Sequence, residues 1–210
     1  MPTSHPNQIN EIIQVAELLR PTSVLDVGVG YGKYGFLLRE YLDANQRGKR
    51  ADHKVTIDGI EGTAAYITDM QRAIYDTLYI GDAGEQLALL EQRYDLAVAI
   101  DFIEHFHRAA GMALLGQLME KSRWVLVATP WNIGDPDFRH DNPLEDHKYQ
   151  WRKKDFSAFP HHVFLYNHNS LMVLLGQDRE TLLAVEKKMN NRFYKMLFDR
   201  VRRRLGIKKC

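Results

Sequence analysis

The sequence is poor in cysteine and has no long hydrophobic run. Its single cysteine, Cys210, cannot form a disulfide within the chain, so nothing in the sequence requires an oxidising compartment. No apolar stretch approaches the roughly 20 residues that a membrane-spanning helix needs. Residues 1–5 lack the basic and apolar regions of a signal peptide. These absences predict a cytoplasmic protein without a transmembrane helix.

An excess of one charge is also missing. The 28 lysines and arginines nearly balance the 27 aspartates and glutamates, which leaves a formal net charge of +1. This balance excludes a broadly basic surface, so tight binding of a long nucleic acid would need a local patch, and basic residues cluster in that way only at 200–209. With 45% hydrophobic residues in 210 positions and no internal repeat, the composition predicts one globular domain over 1–210.

Strand-like and helix-like segments alternate along the first 130 residues. The run Leu96–Ile100 is entirely apolar, which is typical of a strand buried on both faces of a parallel sheet. Such alternation predicts right-handed crossovers and a Rossmann-like, doubly wound α/β sheet. The predicted strands are 23–27, 55–60, 77–80, 96–100 and 124–128, and the predicted helices are 7–19, 34–42, 64–75, 85–92 and 109–121.

The alternation stops at a long loop, 130–160, which is rich in Pro, Asp, His, Asn and Trp and has no period. A loop of this length inside a compact domain is usually functional or disordered. Because its histidines and tryptophans argue against simple disorder, we expect a substrate or active-site loop. Some of its aromatic residues either stack on a ring-shaped acceptor or pack the loop onto the domain: Trp131, Trp151, Phe156 and Phe159.

Two elements follow this loop. Val163–Tyr166 and Leu171–Leu175 predict an antiparallel hairpin at the sheet edge, which completes a seven-stranded, mostly parallel sheet with an antiparallel last strand. Residues 179–204 predict a helix with an apolar stripe and many basic residues. Its basic side is either a solvated face or a surface for an anionic membrane or a phosphate-bearing substrate.

A glycine-rich turn, Asp26-x-Gly28-x-Gly30-x-Gly32, follows the first predicted strand. Ligands of doubly wound sheets bind at the carboxyl ends of strands, and glycines let a ligand approach the backbone closely. The spacing differs from the G-x-G-x-x-G of nicotinamide-binding proteins, because the third glycine falls at 32 and Lys33 follows it. The turn therefore predicts a bound nucleotide-like ligand other than a nicotinamide dinucleotide.

Three further segments follow strands in the same way. They are Asp58-Gly59-Ile60-Glu61-Gly62, Ile80-Gly81-Asp82-Ala83, and the stretch from Tyr94-Asp95 to Asp101-Phe102-Ile103-Glu104-His105. Together with the acid-led glycine turn, they resemble the ordered motifs of the class I S-adenosylmethionine (SAM)-dependent methyltransferases, over roughly residues 20–166. The resemblance implies a methyltransferase that uses SAM as its cofactor.

The resemblance also implies roles for individual residues. Asp26 would face the amino group of the methionine moiety, directly or through water. Glu61, preferred to a possible surface charge at Asp58, would accept hydrogen bonds from the ribose hydroxyls, and Asp82 would accept one from the adenine amine. The implied cofactor-binding residues are Asp26, Gly28, Gly30, Gly32, Glu61, Asp82, Ala83 and Asp101.

The methyl acceptor requires other residues. Transfer to a hydroxyl needs a base or a metal ion that helps to remove its proton. Candidates follow the fourth strand and lie in the loop stretch 142–151, which should fold over the same edge of the sheet. The predicted catalytic residues are His147, His105 and Asp101.

Two resemblances compete at these positions. Asn142-Pro143-x-Glu145-x-His147-x-x-x-Trp151 resembles a loop of methyltransferases encoded with bacterial glycan and cell-surface pathways. Asp101-x-x-Glu104-His105 resembles the E-x-x-E-H of small-RNA 2′-O-methyltransferases, with a first acid one methylene shorter, and ubiquinone-pathway O-methyltransferases share it. The RNA resemblance implies a divalent ion, Mg²⁺, Mn²⁺ or Zn²⁺, held by Asp101, Glu104, His105 and His147.

The alternatives are His147 acting as a general base without a metal ion, or a purely structural role for these side chains. We therefore expect O-methylation of a hydroxylated small molecule or glycan. Metal-assisted 2′-O-methylation of RNA ribose and a non-catalytic SAM-binding partner protein are the two alternative hypotheses. The sequence leaves the acceptor atom and the oligomeric state open.

Overall fold

The computed structural model describes residues 3–44, 55–134 and 140–204, and of residues 44 and 192–204 it describes the backbone alone. Residues 45–54, between the second predicted helix and the second predicted strand, and the end of the basic cluster at 200–209 lie outside the described residues. No helix in the described ranges is both long and apolar enough to cross a membrane.

Seven strands form one sheet in the order β3-β2-β1-β4-β5-β7-β6. Six strands are parallel, and β7 is antiparallel between β5 and β6. The predicted doubly wound, mostly parallel sheet is thus confirmed, with β6 rather than the antiparallel strand at the edge. The strands are β1 (Ser23–Val27), β2 (Thr56–Glu61), β3 (Thr77–Ile80), β4 (Tyr94–Ile100), β5 (Ser122–Pro130), β6 (His162–Leu165) and β7 (Ser170–Gly176).

Helices cover both faces of this sheet because successive residues of the buried strands point to opposite sides. Val24 and Leu96 pack into the core beneath α1, α2 and α6, whereas Leu25 and Ala97 pack into the core beneath α4 and α5. The α-helices are α1 (Ile9–Leu19), α2 (Lys33–Ala44), α3 (Asp69–Ile74), α4 (Ala83–Leu89), α5 (Arg108–Lys121) and α6 (Arg179–Arg204).

The C-terminal helix α6 packs its first half on the sheet and on α1. Leu182, Val185 and Met189 are buried there, as the predicted apolar stripe requires. The side chains of its most basic part, from residue 192 onward, are not described. Contact between that part and an anionic membrane therefore stays a prediction.

Two helix predictions were wrong in detail. The predicted helix 64–75 is divided into a 3-10 turn, Ala64–Tyr66, and α3, because Thr68 caps α3 instead of continuing a helix. The Thr68 side chain accepts from Met70 N, and Gln71 Oε1 accepts from Thr68 N, which is a capping box. The helix predicted from residue 85 begins at Ala83.

The long loop, 130–160, is anchored by aromatic rings that are buried inside the domain. Trp151 and Phe156 are fully buried, and the Trp151 indole N–H donates to the Ile103 carbonyl at 2.9 Å. The hypothesis that these two rings stack on an acceptor was wrong, since Trp151 packs against α5 and Phe156 packs against Trp151, which removes both rings from the surface. Trp131 alone among the three tryptophans is exposed, and Phe159 is partly buried against the same core.

The contact between Trp151 and α5 leads to a prediction about the free energy of unfolding. A methyl group added at Gly111 would overlap the Trp151 ring, whereas one added at Gly116, in the same helix, would meet nothing within 4 Å. We expect Gly111→Ala to lower the free energy of unfolding by about 1–3 kcal/mol. Gly116→Ala, the matched control, should raise it by up to about 1 kcal/mol because alanine favours a helix. Urea unfolding measures both, and equal effects would contradict this packing.

Candidate functional site

The glycine turn after β1 is built for close packing. Gly28 has a φ of +85°, and a Cβ atom there would lie 2.6 Å from the Phe102 ring. Its N–H and that of Val29 donate to the Ile60 carbonyl at the end of β2, at 2.9 and 3.2 Å. Only glycine combines this backbone conformation with this contact at low cost. The turn therefore lies against the ends of both neighbouring strands.

Glu61, the last residue of β2, holds the same turn from the side. Its two carboxylate oxygens accept from Gly30 N and Thr63 N, each at 2.8 Å. Asp58 lies inside the domain instead, bonded to the Tyr94 hydroxyl at 2.8 Å and to Gln92. The alternative of Asp58 as a surface charge was therefore wrong, and contact of Glu61 with a ribose stays a prediction.

Asp26 lies below the turn. It is buried, it accepts a hydrogen bond from the Tyr75 hydroxyl at 2.5 Å, and it lines neither of the two cavities at this edge of the sheet. Burial raises the pKa of Asp26 to about 7, although the bond from Tyr75 partly offsets this effect. The structure thus places the carboxyl where it supports the turn, and its predicted contact with an amino group remains untested.

The smaller cavity, about 240 Å³, lies where the predicted adenosine contacts should be. Asp82 and Ala83 line it together with Glu61, and Asp82 Oδ1 also caps α4 by accepting from Glu85 N at 3.1 Å. The cap explains why α4 begins earlier than predicted. It leaves the other Asp82 oxygen for a ligand.

Residues 142–145 of the long loop cross over this cavity. The Asn142 amide donates to the Thr63 hydroxyl at 2.9 Å, and the Tyr66 hydroxyl donates to the Glu145 carboxylate. Leu144 lies directly above Gly62. The loop therefore covers the site, as its position after β5 predicted.

Asp101 follows β4 and joins the two cavities. Its φ of +47° is unusual for a residue other than glycine, and strain of this kind is concentrated at functional sites. One carboxylate oxygen accepts from His5 N at 2.9 Å and from Gln8 Nε2 at 2.7 Å. The other is buried without a hydrogen-bond partner among the described residues, and burial raises the pKa of Asp101.

These bonds bring the N-terminal segment 3–8 to the site. Thr3, Ser4, His5 and Pro6 line the larger cavity, about 500 Å³, and the Lys33 ammonium donates to the Ser4 carbonyl at 2.5 Å. No sequence pattern indicated this segment, since its contacts with Asp101 span more than 90 residues and its own composition is unremarkable. Lys33 and Tyr34, which directly follow the glycine turn, also line the cavity and were not predicted as site residues.

Three of the four predicted metal ligands meet in the larger cavity. One ligand atom from each of Glu104, His105 and His147 lies within 4.8 Å of the other two. Asp101 is not in this group, and one of its carboxylate oxygens binds the N-terminal segment. Glu104 is fully buried, and neither of its oxygens has a hydrogen-bond partner among the described residues. Burial, and next the charge of Asp101, raise the pKa of Glu104 to about 8.

The two histidines are oriented by backbone carbonyls. His147 Nδ1 lies 2.7 Å from the Ile133 oxygen, and His105 Nδ1 lies 3.3 Å from the Asp146 oxygen. Such contacts place the proton of a neutral imidazole on Nδ1 and leave the lone pair on Nε2. Burial lowers the pKa of His105, so its neutral form is favoured. Both rings can therefore accept a proton or bind a cation.

Comparisons with known proteins give a fold and nothing finer. No protein-family model matches the sequence, and no curated protein is significantly similar to it. The N-terminal domain of EvdMO1, crystallised in the presence of S-adenosylhomocysteine (SAH) and D-fucose, superposes with a TM-score of 0.57 at 16% identity, over 84% of this chain and 85% of that one.

Two other solved structures are similar to the same extent. The methyltransferase domain of bacterial CtHen1 gives a TM-score of 0.53 at 18% identity, over 81% of this chain and 98% of that one. Magnesium protoporphyrin IX methyltransferase (ChlM) from Synechocystis PCC 6803, with bound SAH, gives 0.57 at 13% identity, over 81% and 82%. The chain therefore has the fold of the class I SAM-dependent methyltransferases.

The burial of Asp26 leads to a prediction about how the free energy of unfolding changes with pH. Its pKa is about 7 in the folded protein and 3.8 in its ordinary state, so between these values the folded state binds more protons than the unfolded chain. The protonated Asp26 therefore makes its full contribution to the free energy of unfolding below pH 3.8. This contribution decreases as pH rises from 3.8 and is lost as pH passes through 7, by at most about 1.4 kcal/mol per pH unit.

The variant Asp26→Asn, which has no proton to lose, should remove this slope. Urea unfolding of both proteins between pH 4.5 and 8, taken as a difference, cancels the titration of other groups. We expect the difference between the two free energies of unfolding to move in favour of the variant as pH rises. A difference that does not change with pH would contradict the burial of this carboxyl.

Proposed function

We propose that this protein is a SAM-dependent methyltransferase that methylates a hydroxyl group of a small molecule or glycan. The observation that carries the proposal is the cluster of Glu104, His105 and His147. These side chains line the same cavity as the glycine turn, so a proton-accepting group lies beside the place where the fold binds its cofactor.

The residues present fit the cofactor. Two adjoining cavities share Gly28, Gly30 and Asp101, which gives room for an extended molecule along the carboxyl ends of β1, β2 and β4. The smaller cavity offers Glu61 and Asp82 as acceptors for ribose and adenine groups. SAM supplies a methyl group on a sulfonium centre. The chain has to orient the acceptor in line with it and exclude water.

His147 is the side chain that we propose as the base. The Ile133 carbonyl holds its Nδ1–H, so the Nε2 lone pair can take the proton of the acceptor hydroxyl during transfer. His105 lies beside it, with ring centroids 5.1 Å apart. Residues 142–145 lie over the smaller cavity and the N-terminal segment lines the larger one, where both would limit the access of water.

A second candidate is metal-assisted 2′-O-methylation of RNA ribose, and the same cluster favours it. The buried Glu104 lacks a hydrogen-bond partner among the described residues, which is costly unless a cation or substrate compensates for it. Glu104, His105 and His147 would hold the ion, a mixed carboxylate and imidazole set that suits Mg²⁺, Mn²⁺ or Zn²⁺. A bound divalent ion would lower the pKa of a coordinated hydroxyl.

The third hypothesis, a partner protein that binds SAM without catalysis, is weakened by the same carboxyl group. A buried Glu104 with unpaired oxygens destabilises the fold, and such groups are retained where a site uses them. Release of SAH from SAM in the presence of an acceptor would separate an enzyme from a binding protein.

Cofactor binding can be tested without knowing the acceptor. Glu61→Gln keeps the size of the side chain but places an amide where the carboxylate accepts from Gly30 and Thr63. We expect the dissociation constant for SAH, measured by calorimetry, to rise at least tenfold, about 1.4 kcal/mol. Glu120→Gln, an exposed position on α5, is the matched control and should bind as the wild type does. Unchanged affinity in Glu61→Gln would remove Glu61 from the cofactor site.

The role of His147 is tested on turnover. With a panel of hydroxylated sugars and phenols as acceptors, we expect His147→Ala to lower the rate of SAH formation about 100-fold or more, with little change in SAH affinity. His162→Ala is the control. The Nδ1 of His162 also bonds a backbone carbonyl oxygen, but His162 lies on β6 and does not line the larger cavity.

Chelation separates the two routes in the same assay. Turnover that persists in excess EDTA contradicts the metal-assisted candidate. Turnover that EDTA abolishes and Mn²⁺ restores contradicts a metal-free base. In that case Glu104→Gln should also lose Mn²⁺ binding in calorimetry, a readout that does not depend on an acceptor.

A further inference from the structure

Apart from the two cavities described above, a groove of about 460 Å³ lies next to the larger cavity, between the β6–β7 hairpin and α6. Three aromatic rings line it, from Trp131, Phe164 and Tyr166, together with the polar side chains of Lys153, His168 and Asn190. We call this surface the aromatic groove. It contains none of the residues assigned above to the cofactor or to proton transfer.

Two of these rings are exposed although they are large and apolar. Trp131 is 44% exposed and Tyr166 is 50% exposed. Single exposed rings are common, but several in one concave surface are typical of a binding site. The exposure is therefore informative because the rings share a groove.

The Trp131 ring is also held in place. Its indole N–H donates to the Asn167 carbonyl, and its backbone N–H donates to the Asn169 carbonyl, both at 3.2 Å. Both acceptors lie in the tight turn between β6 and β7, where Asn167 Oδ1 binds two backbone N–H groups. An indole fixed at its edge presents its face without losing much conformational entropy when a ligand binds.

The polar groups of the groove define the chemistry of the ligand. The Lys153 ammonium lies 5.1 Å above the Phe164 ring, and the imidazole of His168 and the amide of Asn190 provide donors and acceptors at other points. A sugar has C–H faces that pack on an aromatic ring and hydroxyls around its rim that bond amides and cations. Aromatic faces bordered by such groups match a carbohydrate better than a purely apolar ligand.

The groove lies beside the candidate active site. Pro130 lines the larger cavity and the next residue, Trp131, lines the groove. His5, which also lines the cavity, contacts the Asn169 amide at 3.2 Å across the hairpin turn. The two spaces are therefore separated by neighbouring residues of the same chain segment, which places the groove next to the cavity that holds the proposed base.

We infer that the aromatic groove is a carbohydrate-binding subsite that holds a further sugar unit of an oligosaccharide acceptor. The identity of the ligand as part of the acceptor rests on the proposed function. The groove itself is assigned from its own residues. Trp131 is the stacking platform, Tyr166 a second one, and Asn190, Lys153 and His168 bind hydroxyls.

Binding of glycans by the full chain tests this inference without any turnover. The wild-type protein is applied to an array of microbial oligosaccharides, and the affinity of the strongest oligosaccharide bound is then measured by calorimetry with and without saturating SAH. We expect Trp131→Ala to weaken this binding at least tenfold and Trp131→Phe, which keeps a ring, to restore most of it. SAH affinity should be unchanged in both variants.

Tyr41→Ala is the matched control, because Tyr41 is also 44% exposed but lies on α2, away from the groove. It should bind the oligosaccharide as the wild type does. Retention of no oligosaccharide on the array overturns the inference, as does full affinity in Trp131→Ala. If the wild-type protein binds the oligosaccharide but neither binds SAH nor transfers a methyl group, the result counts against the proposed function alone.

Discussion

The site depends on one constraint of the sheet, the reversal of strand order between β1 and β4. On one side of β1 the chain continues to β2 and β3, and on the other side β4 leads to β5, so the connections leave these two strands in opposite directions. Among the described residues no crossover helix passes over their carboxyl ends, and a cleft opens there. The backbone must turn sharply at both ends, with positive φ at Gly28 and at Asp101. Glycine adopts a positive φ at low cost. At Asp101 the same conformation is accompanied by hydrogen bonds from His5 and Gln8 to the carboxylate.

Buried carboxyl groups at this edge have two different roles, which their hydrogen bonds distinguish. Asp26 and Glu104 are equally inaccessible, and burial raises the pKa of each. Asp26 is compensated by Tyr75, so it belongs to the support of the turn. Glu104 has no well-formed bond of this kind among the described residues, although the nearby Thr129 hydroxyl and its own backbone N–H lower its pKa, and it lies next to two oriented histidines. Because a ligand could compensate such a carboxyl, this difference is the reason that we propose Glu104, and not Asp26, as a proton-transfer or metal-site residue.

The sheet could be predicted from the sequence because apolar runs such as Leu96–Ile100 report burial locally, and the glycine spacing reports the turn. Two parts of the site could not. Asp101 binds His5 and Gln8 across more than 90 residues, a contact that no local pattern encodes. Nor does composition separate Trp151, which packs on α5, from Trp131, which is exposed, since tertiary packing decides the burial of a large ring.

The long loop couples the two halves of the proposed reaction. Asn142 and Glu145 hold it over the smaller cavity through Thr63 and Tyr66, and His147 follows only two residues later. The contacts that cover the cofactor therefore also fix the position of the base. In the proposed reaction, displacement of this segment would uncover the cofactor and also move His147 away from the Ile133 carbonyl that orients its ring. One short segment would thus link cofactor retention to proton removal, through chain connectivity and this one contact.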